Sequence, residues 1–111
     1  MPKTIASILV SLTLAPCASA ALAATPSFDC AKATHDVEEL ICNDAELAEL
    51  DNSLNSLYHA VLKHTSASEQ EMLKTEQRGW IKGRNDCWKD SDMRGCVLSE
   101  YRTHIDEPKD R

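Results

Sequence analysis

The chain has 111 residues, five cysteines, and 18 acidic against 12 basic side chains, a formal net charge of −6. An acidic surface disfavours nucleic acid and anionic lipid as partners and favours cationic ones. The length allows one small domain, near the size at which a hydrophobic core alone stabilises only marginally.

The chain opens with Met1-Pro2-Lys3, one positive charge, followed by an apolar run from Ile5 to Leu14 and the small-residue stretch Ala18–Ala23. That order is the pattern of a secretion signal with A-x-A cleavage sites. The apolar run is short of the roughly 20 residues a spanning helix needs, and no second such run follows. Cys17 follows an apolar stretch, as a lipid-attachment cysteine does. The Leu14-Ala15-Pro16 ahead of it is a poor lipobox, so cleavage near Ala20 or Ala23 is expected. Residues 1–23 are then a removed signal and 24–111 the exported domain, periplasmic or secreted. Loss of Lys3 leaves 11 basic and 18 acidic residues. Loss of Cys17 leaves Cys30, Cys42, Cys87 and Cys96, an even number in an oxidising compartment, where disulfides form.

Glycine, proline and β-branched residues are scarce in the remainder, which predicts an all-α domain. After an extended lead-in, a short helix is expected over about 35–42 with Thr34 as N-cap. Asn43 with Glu46 reads as a capping box for a longer helix. Leu47, Leu50, Leu54, Leu57, Tyr58, Val61 and Leu62 form its apolar stripe, ending near His64. Thr65-Ser66-Ala67-Ser68 is a turn, with Ser66 or Ser68 as the next cap. The third helix is expected to bury Met72, Leu73, Trp80, Ile81 and Cys87. Asp90-Ser91-Asp92 breaks the chain again, and Met93, Val97, Tyr101 and Ile105 mark a final helix that Pro108 stops. The expected architecture is three main helices plus a short N-terminal one. Four cysteines allow three connectivities. Cys30–Cys42 and Cys87–Cys96 are favoured, because each joins ends that local helical geometry brings together, and each short loop would contribute roughly 3 kcal/mol.

Little in the chain carries chemistry. His59 and His64 are five apart, about 140° around a helix, and cannot form the i, i+4 pair of a zinc site. No HExxH, GxSxG or phosphate-cradling loop occurs. Oxidised cysteines leave no thiol nucleophile, and the paired carboxylates are spread along solvent faces. No catalytic residue, metal or cofactor is expected. In the cluster Glu76, Arg78, Trp80, Arg84, Trp80 reads as a core anchor and an Arg–carboxylate pair as a tie to a neighbouring helix.

The order Phe28-Asp29-Cys30, Val37-Glu38, Ile41-Cys42 and Leu47-Ala48-Glu49-Leu50-Asp51 resembles the opening of the LprI-like lysozyme-inhibitor domain. Glu76-Gln77-Arg78-Gly79-Trp80-Ile81-Lys82-Gly83-Arg84-Asn85-Asp86-Cys87 is similar to that family's E-Q-R-x-W-x-K-x-R-x-x-C signature, and Cys96 with Tyr101-Arg102 to its closing segment. The likeness covers nearly all of residues 24–111. It implies an exported bacterial helical domain with lysozyme inhibition as its activity. Gly79 and Gly83 depart from a good helix, each costing about 1 kcal/mol relative to alanine, and mark either close packing or a weaker helix.

Under that resemblance the segment between Cys87 and Cys96 is the expected contact surface. A bridge at its base lowers the ordering cost of binding, and Trp and Arg are frequent hot-spot residues. Lysozyme cleaves with two carboxyl groups in a cleft, which Lys89 or Arg94, beside Trp88, would pair with. The competing expectation is an interaction or immunity-type module with a different envelope protein as partner.

Overall fold

The computed structural model describes residues 24–107; the expected secretion signal with Cys17, and Pro108, lie outside them. A 3-10 turn (Cys30–Lys32) leads to α1 (Asp36–Asn43), α2 (Ala45–Lys63), α3 (Ala67–Asn85), a second 3-10 turn (Asp86–Lys89) and α4 (Met93–Asp106). The architecture is all-α, with one short and three longer helices and no strand among the described residues. Cys30 is bonded to Cys42 and Cys87 to Cys96, the favoured pairing.

Polar caps set the helix starts, and two differ from the expected ones. His35, not Thr34, caps α1: its Nδ1 accepts the Val37 N–H at 3.1 Å. Asp44, not Asn43, caps α2, accepting the Leu47 N–H at 3.1 Å. Asn43 completes α1 instead and donates to the Glu39 carbonyl. A carboxylate one residue on takes the cap because it also meets a cation from α4, as described below. Ser66 starts α3 without a side-chain cap. There the turn is closed by Gln70 Nε2, which donates to the Leu62 and Thr65 carbonyls. At α4, Asp92 accepts the Gly95 N–H at 2.9 Å. A Cβ on Gly95 would press on that carboxylate as it now stands, so a larger residue there would shift the Asp92 side chain.

The core lies where α1, α2 and α4 meet: Val37 and Ile41, Leu47 and Leu54, Val97 and Tyr101, closed by the half-cystine of Cys87. Burying aliphatic side chains of this size stabilises by about 1.5–3 kcal/mol each. On α3, Leu73 is buried, but Met72 and Ile81 are 55% and 37% exposed, against expectation. Positions 73, 77, 80 and 84 form the inward stripe at helical spacing, and two of them are Gln77 and Arg84. Reading only apolar residues therefore misplaced the face. Around Gly79 and Gly83 an added Cβ would meet nothing, so these glycines mark open helix surface and not close packing.

Helix α2 rests chiefly on α1 and α4. Between its middle and α3 a cleft of about 320 Å³ remains.

Candidate functional site

Two regions combine unusual chemistry with defined geometry: the buried charges under this cleft, and the segment that the Cys87–Cys96 bridge holds.

Asp51 and Arg84 are only 5% and 4% exposed. Tyr101 stands between them, donating to Asp51 Oδ1 at 2.7 Å and accepting from Arg84 Nη1 at 3.0 Å, while the two charges approach to 3.8 Å. Ser27 supplies Asp51 Oδ2 with two more donors, its N–H at 2.7 Å and its hydroxyl at 2.5 Å. Arg84 is completed by Asn85 Oδ1, which accepts from Nε and Nη2. The guanidinium lies within 6 Å of the Phe28, Trp80 and Tyr101 ring centroids. Burial pushes the Tyr101 hydroxyl well above its ordinary range, and its bond to Asp51 adds to the shift although Arg84 opposes it. A buried ion pair is tolerated only with such full hydrogen bonding. The arrangement joins the lead-in, α2, α3 and α4, and so the Arg–carboxylate pair on α3 is Arg84 with Asp51.

Trp80 stacks on His104 (4.7 Å between centroids, 9° between planes) and meets Tyr101 edge-on. Its indole N–H is buried without an acceptor among the described residues. His104 is held by Gln77 and Glu107. Glu76 and Arg78, the other signature residues, lie on the exposed side of α3, where Arg78 donates to Thr75 Oγ1.

The cleft is lined by Ser27, Phe28 and Glu38, by Leu54, Asn55 and Tyr58 of α2, and by Gln77, Trp80 and Ile81 of α3, with Asp51 and Arg84 at its floor. Glu38, Asn55 and Tyr58 are half-buried residues there, and their carboxylate, amide and hydroxyl have no hydrogen-bond or ionic partner among the described residues. Periodicity placed Tyr58 in the apolar stripe of α2 but pointed to neither Glu38 nor Asn55. The available signal was Asp51, a charge in the stripe of Leu47 and Leu54.

In the bridged segment, Trp88 is 52% exposed. Lys89 Nζ lies 5.8 Å from its ring centroid and 3.6 Å from Asp86. Arg94 is placed differently from these two. It belongs to the first turn of α4 and reaches back to α2, with Nε 2.7 Å from Asp44 and Nη2 2.7 Å from Glu46. The hydrogen bond from Arg94 holds the Asp44 carboxyl below its ordinary range, and Asp44 and Glu46 push the guanidinium up in return. Among the described residues no group of three or more His, Cys, Asp or Glu is placed to hold a metal, and no helix is long and apolar enough to cross a membrane.

Four helices, two short-loop disulfides and charges committed to internal pairing define a small stapled helical module. The family described as "Lysozyme inhibitor LprI" matches residues 30–105, and the chain belongs to that family, a family of inhibitors and not of catalysts. Proteins named Lipoprotein LprI from Mycobacterium bovis and from two strains of Mycobacterium tuberculosis are similar, at 32% identity over 104 residues. The alignment takes in 88% of this chain and 51% of each relative, so the chain spans about half the length of the curated relatives it matches. No solved structure matches. The disulfides fit an extracytoplasmic location.

Proposed function

We propose that this protein is exported by cleavage of its first 23 or so residues and inhibits lysozyme by binding it. Membership of the lysozyme-inhibitor family over residues 30–105 carries the reading. The Cys87–Cys96 segment is the docking element: Trp88 supplies apolar contact and Lys89 a cation for the paired carboxyl groups of the enzyme. Arg94 acts at one remove, fixing the foot of the segment to the start of α2 through Asp44 and Glu46.

A cell-wall turbidity assay tests this, with oxidised protein titrated against a c-type and a g-type lysozyme. Dose-dependent loss of lysis is expected with at least one of them. Trp88→Ala should raise the half-inhibitory concentration by about tenfold or more, and Lys89→Glu should weaken inhibition while leaving the melting temperature unchanged. Undiminished lysis by both enzymes at large molar excess rejects the reading. The second reading, an interaction module for another envelope protein, draws on the coverage of only half of each relative, and then takes its place.

A further inference from the structure

We infer that the cleft between α2 and α3 is a receptor for one lysine or arginine side chain of a protein partner. Its volume, about 320 Å³, is at the small end for ligand pockets, which run from about 300 to 1,000 Å³. That suits a single long side chain better than a folded segment.

The lining sets the chemistry. Leu54, Ile81 and the Trp80 and Tyr58 rings provide apolar and aromatic walls against which an alkyl stem or a guanidinium plane packs. The floor contributes no net charge, because Arg84 is matched by Asp51 and both are saturated by Tyr101, Ser27 and Asn85. The sign of the cleft is therefore set by Glu38, a half-buried residue whose carboxylate is unpaired among the described residues. The Asn55 carbonyl and the Tyr58 hydroxyl add acceptors with no other partner among the described residues. An aromatic-walled cleft with one unpaired carboxylate and neutral acceptors is complementary to a cation with several donors. An anion would face Glu38 directly, and a purely apolar group would leave all three polar groups unsatisfied. Arginine fits better than lysine, since its planar fork stacks and donates at once. The net charge of −6 steers cationic proteins toward the surface as a whole.

The cleft does not depend on the lysozyme reading. Only the identity of the protein that carries the side chain rests on it, and the experiment has two arms for that reason. In the first, 15N-labelled oxidised protein is titrated with acetyl-Gly-Arg-Gly-amide and, separately, with the neutral isostere acetyl-Gly-citrulline-Gly-amide. The arginine peptide should shift the side-chain resonances of Trp80, Asn55 and Gln77 in a saturable manner. The citrulline peptide should not, and Glu38→Gln, which keeps the shape, should abolish the arginine response. Equal responses to both peptides, no response, or an undiminished response in Glu38→Gln overturns the proposal.

In the second arm, binding of a c-type lysozyme is measured by calorimetry with wild type and Glu38→Gln. A loss of about tenfold or more in affinity identifies lysozyme as the carrier. Equal affinity for the two proteins rejects the cleft as part of that interface. No binding by wild type counts against the lysozyme reading alone, and the peptide arm still decides the cleft.

Discussion

Tyr101 shows how much one buried hydroxyl can hold in place. It has no exposed surface, yet it satisfies a carboxylate on one side and a guanidinium on the other. Replacing one member of the Asp51–Arg84 pair should be severe, since the survivor is left as an uncompensated buried charge. Arg84→Met or Asp51→Leu is expected to lower the unfolding free energy by about 3–5 kcal/mol, and the double variant by less than the sum, read from urea denaturation of all four proteins. Additive losses would mean that the two charges do not act as a pair. The hydroxyl also predicts a pH dependence. Its proton is held more tightly in the folded chain than in the unfolded one, where it leaves near pH 10. The folded state then retains a proton that the unfolded state has lost. The stabilisation is complete below about pH 10 and is lost as pH rises beyond it toward the folded value. Tyr101→Phe should be less stable than wild type at pH 8 by about 1–3 kcal/mol, and should show a shallower decline between about pH 9 and 11. Parallel declines would sink the assignment.

At the scale of the helix, the same chain holds both over-determined and spare positions. Asp44 closes α1, caps α2 and receives Arg94 from α4. Asp44→Ala should cost about 1 kcal/mol for the cap, whereas Asp44→Asn should keep most of it. Because Arg94 holds the Asp44 carboxyl below its ordinary value, that stabilisation is present above pH 3.8 and fades as pH falls through the folded value. Gly79 and Gly83 are the opposite case, with open space where a Cβ would go. Gly79→Ala and Gly83→Ala should each raise the unfolding free energy by about 1 kcal/mol, seen as a melting temperature higher by roughly 4–8 °C. A loss in either would show that the helix surface is in contact with something in solution. These elements also show what could be read from the chain. The four helices and their order follow from stripes and polar breaks, because helical periodicity survives even with caps displaced by one residue. The faces of α2 and α4 were legible because most of their inward residues are apolar or aromatic, with Asp51 the exception. The inward face of α3 was not, because Gln77 and Arg84 are drawn inward by His104, Tyr101 and Asp51, partners remote in sequence. The cleft was illegible for the same reason: Asn55 and Tyr58 are i, i+3 neighbours on α2, but Glu38 of α1 joins them only through tertiary packing.

For the whole molecule, the question is what keeps so small a core in one arrangement. Natural domains unfold with about 5–15 kcal/mol, and a chain of this size sits toward the lower end. The two bridges close loops spanning 12 and 9 positions, so each is expected to contribute roughly 3 kcal/mol by restricting the unfolded chain. Their structural consequences differ. Cys87 is 2% exposed and part of the core, and its bridge joins the end of α3 to the first turn of α4. Cys30–Cys42 instead fastens the lead-in to the end of α1. That lead-in lays Ser27 on Asp51 and Phe28 over Arg84, and Asn52 holds it further by donating to the Thr25 carbonyl at 2.6 Å. Opening Cys30–Cys42 should therefore uncover the buried charges before the remaining helices separate. The double variant Cys30→Ala/Cys42→Ala is expected to stay helical by circular dichroism at 25 °C, with an unfolding free energy lower by roughly 3 kcal/mol and much faster hydrogen exchange at the Ser27 amide than in wild type. Cys87→Ala/Cys96→Ala should instead lose near-ultraviolet ellipticity from Trp80 and Tyr101 along with its stability, since the core itself opens. If both double variants protect the Ser27 amide equally, the lead-in is held by its hydrogen bonds alone, and the first bridge has no part in covering Asp51 and Arg84.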